Sequence, residues 1–218
     1  MAPAILTINS RRHGAWSLRG WLLCRMAGLE FVEEVVPAGD PAARAELLLL
    51  SPSFLVPRLE HEGVTVWDAL AIAEYLQERF PDAKLLPDEP VARAHCRSIS
   101  AEVHGGFVNL RSALPMNMNA RHPGFPVFSG ARADIGRITA IWRDCLGKSG
   151  GPFLFGEQPT VADAMFAPIC SRFVTYDVAV DATCAEYRDA VLALPDVVEW
   201  TSLAAAEPQD LVELEAEF

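Results

Sequence analysis

The first eighty residues alternate between short β-branched apolar runs and longer stretches whose apolar positions recur at helical spacing. Residues 4–9, Ala-Ile-Leu-Thr-Ile-Asn, are too few for a helix and read as a short buried strand. A polar loop, Ser10-Arg11-Arg12-His13-Gly14, follows. Over residues 16–28 the stripe Leu18, Leu22, Met26 and Leu29 predicts a helix that stops at Gly28. Residues 31–36 form a second strand, and Pro41 can open a second helix running to about Leu49. Then come a strand at 54–60, a turn at Glu62-Gly63, a strand at 64–67 and a helix from Asp68. The Asp68 carboxylate is a good N-cap, with Leu70, Ala73 and Leu76 at helical spacing behind it. The order β-α-β-α-β-β-α, with a right-handed β-α-β unit and a closing hairpin, predicts an α/β domain built on a four-stranded mixed sheet.

Residues 81–90 contain three prolines and read as a linker. Beyond them the periodicity is helical throughout, at roughly 91–115, 131–148, 160–176, 183–193 and 195–206. The breaks fall at 115–130 and 147–152. Thr160-Val161-Ala162-Asp163 reads as a capping box opening a largely apolar helix. Two domains are therefore expected: an α/β unit over 1–80 and, after the 81–90 linker, an all-α bundle over 91–218.

Composition narrows the function classes. The 218 residues are 51% apolar and 22% charged, an ordinary soluble balance with material for real cores. The net charge of −11 leaves no basic footprint for nucleic acid. The richest apolar run, 47–50, is far short of a membrane span, and Met1-Ala2-Pro3-Ala4 lacks the basic start of a secretory signal. The five cysteines are odd in number, widely spaced and without a Cys-x-x-Cys. Reduced thiols in a cytoplasmic protein are expected, with no disulfide and no metal.

Pro57 is the local anomaly, because a proline cannot donate to a sheet ladder. At the start of the third strand of such a sheet it resembles the cis-proline of the thioredoxin fold, which turns the preceding backbone outward for a peptide-like ligand. The surrounding segments extend the likeness. "AWSLRGWLLCRMAGLEF" at 15–31, "SPSFLVPRL" at 51–59, "VWDALAIAEYL" at 66–76, "AEVHGGFVNLRSALPMN" at 101–117 and "TVADAMFAPI" at 160–169 resemble cytosolic glutathione transferases of the bacterial type related to the zeta class. That resemblance implies a thioredoxin-like domain joined to a helical domain, a homodimer, and glutathione bound between the domains beside a small hydrophobic electrophile. It implies Val56 as the backbone partner of the cysteinyl unit and Pro57 as the cis-proline. Asp68 and Ala69 would hold the γ-glutamyl carboxylate, Trp16 and Ser17 would begin the helix beneath the thiol, and His104 would face the electrophile. Arg19, inside "WSLR", is the best-placed of the nearby arginines to attract anionic glutathione.

The chain departs from the family pattern where the chemistry is. A serine that donates to the glutathione thiolate is usual at the position of Gly14, with a second serine at Ala15 and a hydroxyl at Ala69. Phe54-Leu55 replaces glycine and a polar residue. A thiol of pKa ~8.5 is only about 3% thiolate at pH 7, and lowering it by ~2 units takes ~2.7 kcal/mol. One hydrogen bond to the anion supplies ~1.5–3 kcal/mol of this and a helix N-terminus ~0.5–2 kcal/mol. The surviving donors are Ser17, His13 and Ser10, with Ser17 and His13 expected to carry catalysis; a serine restored at Gly14 is expected to add a donor. The expectation is a glutathione transferase conjugating an electrophile. The alternatives are a non-catalytic ligand-binding relative and a glutathione-dependent isomerase or dehalogenase.

Overall fold

A computed structural model describes residues 3–36 and 55–207; the helix expected at 41–49 and Phe54 lie outside the described residues. The chain builds β1 (Ala4–Ile8), α1 (Ala15–Met26), β2 (Phe31–Val35), β3 (Arg58–His61), β4 (Val64–Trp67) and α2 (Ala69–Arg79). The sheet order is β2-β1-β3-β4. β1 pairs parallel with β2 and antiparallel with β3, with Leu6 opposite Leu59, and β3 pairs antiparallel with β4. The hairpin turns through Glu62 (φ 51°) and Gly63 (φ 79°), the left-handed pair that matches the twist of its strands. The third strand begins after Pro57, not at 54. The proline therefore precedes the ladder, where its missing N–H interrupts nothing.

α1 is buried almost all round, from Ser17 through Cys24, because it lies between α2 and the helical domain. A single apolar stripe consequently understates how much of it is core. Its C-terminus closes as predicted at Gly28 (φ 69°), whose N–H donates to Arg25 O.

The second half is helical: α3 (Pro90–Gly105), α4 (Val108–Ala113), α5 (Ser129–Ser149), α6 (Val161–Thr175), α7 (Ala182–Leu192) and α8 (Pro195–Ala206). The stretch expected as one helix at 91–115 is two, broken at Gly106 and at Phe107, which sits at φ 57°. Among the described residues no strand follows residue 91, only an isolated bridge between Phe153 and Gly156. No helix among them is long and apolar enough to cross a membrane. The linker is packed down, not loose. Leu85 and Leu86 are buried, Leu85 O accepts the Val161 N–H, and Leu86 N–H donates to Gln77 Oε1.

α6 is the core of the bundle, and the predicted capping box starts it. The fully buried Asp163 carboxylate accepts Thr160 N–H at 2.7 Å, Thr160 Oγ1–H at 2.9 Å, Leu154 N–H at 3.1 Å and the Tyr187 hydroxyl at 3.1 Å. Burial pushes its pKa up while these four donors oppose the rise. Removing the carboxylate orphans several buried donors at once. Asp163→Ala is expected to lose about 2–4 kcal/mol in urea unfolding, well above an exposed helix substitution.

Candidate functional site

The loop between β1 and α1 folds on itself. Ala15 N–H donates to His13 O at 2.9 Å across Gly14 (φ −75°, ψ 77°), an inverse γ-turn, and Gly14 N–H donates to Ser10 O at 2.8 Å. Ser10 is buried, and its Oγ accepts the N–H groups of Arg12 and His13 at 3.1 and 3.2 Å. Ser17 is fully buried. Its hydroxyl accepts Asn9 N–H at 3.0 Å and donates to Asn9 Oδ1 at 2.6 Å, tying α1 to the end of β1. Ser17 thus spends its single proton within the fold. Ser10 is likewise committed to its turn. His13, partly buried, donates Nδ1–H to Met116 O at 3.0 Å.

Gly14 does not simply lack a hydroxyl. A Cβ built there runs into the Asn9 side chain and the Ser10 carbonyl oxygen, so the loop is wound around a glycine. Nor are the arginines solvated anion collectors. Arg11 pairs with Glu33, which also accepts Trp21 Nε1–H at 2.8 Å, and Arg12 Nη2 donates to Glu207 O at 2.8 Å. Arg19 is buried to 1% exposure, donates Nε–H to Met165 O at 2.9 Å and stacks its guanidinium 4.3 Å from the Trp16 ring centre. It joins α1 to α6.

The remaining expected residues converge where the domains meet. The Val56–Pro57 bond is cis, as expected. Gly20 lets α1 close onto that proline: a Cβ on Gly20 would come within 2.5 Å of Pro57 Cβ. Asp68 caps α2, its Oδ1 accepting the N–H groups of Leu70 and Ala71 at 2.8 and 3.4 Å, and buried Ala69 heads the helix. Asp68 Oδ2 meets His104 Nε2 at 3.1 Å, and the His104 ring sits edge-on to Trp16 at 4.9 Å. Asp68 adopts φ 79° and ψ 134°, a conformation that costs a non-glycine residue roughly 1–3 kcal/mol and tends to cluster at functional sites. His104 Nδ1 is buried and has no hydrogen-bond partner among the described residues.

Three contributors escaped sequence reasoning. Arg111 stacks 5.5 Å from the Trp16 ring centre and donates to Val103 O and His104 O at 3.2 and 3.3 Å, bracing the end of α3. Gly20 could have been noticed as a lone glycine among large helical residues. Asn9 had no distinguishing signal. All five cysteines are buried, and burial pushes the thiols of Cys96 and Cys184 up to about 11 and Cys145 to about 12. His95, Asp144 and Cys145 bring possible metal-donor atoms within 4.8 Å of one another, and Asp144 is paired with Lys148 at 2.7 Å.

Two substitutions test this geometry. Ser17→Ala should lower stability by about 1–3 kcal/mol, because it removes the one hydroxyl that serves both the Asn9 N–H and the Asn9 Oδ1. Gly14→Ser should also lower it, by about 1–3 kcal/mol, because the added Cβ must displace backbone. Chemical denaturation measures both. A Gly14→Ser protein as stable as the parent would show that the loop is not wound as described.

The chain can now be set beside known proteins. The family description "Glutathione S-transferase, N-terminal domain" matches residues 13–79, and "Glutathione S-transferase, C-terminal domain" matches residues 102–202. Maleylacetoacetate isomerase of Pseudomonas aeruginosa is 30% identical over 88% of this chain and 87% of its own length, and that of Rattus norvegicus is 27% identical over 83% of each. Among solved structures, a glutathione transferase homolog from Burkholderia with bound glutathione is similar at a TM-score of 0.72 and 22% identity, covering 94% of this chain and 100% of that one. The holo structure of a bacterial zeta-class maleyl pyruvate isomerase is similar at 0.71 and 22% identity, covering 94% and 99%. With both family domains in order and the fold matching over nearly the whole chain, this protein belongs to the glutathione S-transferase family.

Proposed function

We propose that the chain binds glutathione in the cleft around Trp16, Val56, Pro57, Asp68, Ala69 and His104, and acts as a glutathione-dependent isomerase of an anionic substrate with an activated double bond. The convergence of Trp16, Asp68, His104 and Arg111 at the domain junction carries this reading. The isomerase names of its relatives support the reaction type. In this reading the Val56 backbone pairs with the cysteinyl unit, and the N-terminus of α2 at Asp68 and Ala69 receives the γ-glutamyl carboxylate. The partly exposed His104 ring, paired with Asp68 through Nε2, is a polar group that suits a ligand at this junction. Glutathione, when bound, supplies a thiol that adds to an electrophilic carbon and can leave again.

What the chain contributes is positioning and charge. With both nearby serines committed to structure, thiolate stabilisation rests on the N-terminus of α1, worth ~0.5–2 kcal/mol against the ~2.7 kcal/mol of a two-unit shift. That shortfall suits an electrophile already activated by its own carbonyl better than an inert hydrophobic one. Arg111, stacked on Trp16, brings positive charge to that region for an anionic substrate. By likeness to the family, the protein is proposed to act as a cytoplasmic homodimer. One alternative has a specific observation behind it. The committed serines also fit a relative that binds ligands without activating glutathione.

The test is to follow cis–trans conversion of maleylacetoacetate or maleylpyruvate with substoichiometric glutathione, while counting free thiol. Isomer should accumulate with the thiol count unchanged. Steady loss of thiol would instead identify conjugation, and failure to bind glutathione in calorimetry would select the ligand-binding alternative.

A further inference from the structure

The β1–α1 loop is held from outside its own domain to an unusual degree. Trp200, on α8, donates Nε1–H to Arg11 O at 2.8 Å. Met118 N–H donates to Arg12 O at 3.1 Å, and Met116 O accepts from His13. The densest contact is Glu207, the residue that ends α8. Its Oε1 accepts Arg11 N–H at 2.5 Å, its Oε2 accepts Arg12 N–H at 3.1 Å and the Ser10 hydroxyl at 2.9 Å, and its carbonyl accepts Arg12 Nη2–H at 2.8 Å. Glu207 is itself fixed at its root. Its N–H donates to Ala204 O, which also accepts Asn119 Nδ2–H at 3.0 Å.

We infer that Glu207 is a positioning residue for the thiol site, its carboxylate latching the loop that sets the N-terminal amides of α1. Three features favour positioning over a generic tether. The carboxylate engages consecutive main-chain N–H groups, so it defines backbone conformation instead of merely holding side chains. Those amides lie two and three residues before Gly14, whose γ-turn leads directly into α1. And the wound loop excludes a serine side chain at 14, so in this chain the family's hydroxyl and the latched conformation are mutually exclusive. A loop without a hydroxyl has only its amides and the helix dipole to offer an anion, and their value depends on direction. The positioning role rests on the proposal that glutathione binds here; the latch does not.

The experiment compares the full-length parent with Glu207→Ala, Glu207→Gln and Glu207→Asp. Hydrogen exchange of the Arg11 and Arg12 amides in the protein alone reads the latch, and thiolate absorbance of bound glutathione at fixed pH reads the positioning. In Glu207→Ala, exchange at both amides should rise about 10-fold or more. The thiolate fraction should fall about 3- to 10-fold. Glu207→Gln, which keeps one acceptor oxygen, should fall between, and Glu207→Asp should recover part of both signals. Unchanged exchange in Glu207→Ala overturns the latch. Faster exchange with an unmoved thiolate fraction overturns the positioning role and leaves a tether. A parent that binds no glutathione overturns the functional reading and the positioning role together, and that failure is visible before any substitution is made.

Discussion

The close seat of α1 governs the rest of the structure. The helix is buried on nearly every side, with Leu18, Trp21, Leu22 and Leu23 in the core, each worth ~1.5–3 kcal/mol of apolar burial. It can sit there only because Gly20 presents no side chain to Pro57 and because Arg19 finds a carbonyl partner at Met165 across the domain boundary. The Ser17–Asn9 pair then locks its first turn to β1. Between them these contacts fix where the positive end of the helix points.

The same economy of contacts explains how the two domains act as one. Arg19 to α6, Trp200 and Glu207 to the β1–α1 loop, Asp68 to His104, and the linker's own Leu85 and Leu86 to either side all tie the two domains together. Several of these partners are main-chain carbonyls or amides, which lose no rotamer entropy when they are engaged. The two domains are thus joined at several separate points along their boundary.

Much of this was legible in the residues. The element order, the Gly28 stop, the Asp68 cap, the Thr160–Asp163 box and the helical second half follow from periodicity and local hydrogen-bond chemistry, which operate over a few residues and are written in sequence. The family likeness added the cis bond at Pro57 and the grouping of Trp16, Asp68, Ala69 and His104, because those residues keep a recognisable order along the chain.

The roles of the polar side chains were a different matter. Ser17 and Arg19 look like site residues by position, yet packing turns both inward, and no local pattern distinguishes a hydroxyl that faces a ligand from one that faces Asn9. Glu207 is 196 residues from Arg11, and Arg111 is also far along the chain from Trp16. The sequence by itself determined which elements form and where they begin, since helix caps, turns and alternation are short-range forces. Only the tertiary structure decided which polar groups remain for chemistry, because each donor and acceptor goes to whatever partner folding brings within three ångströms.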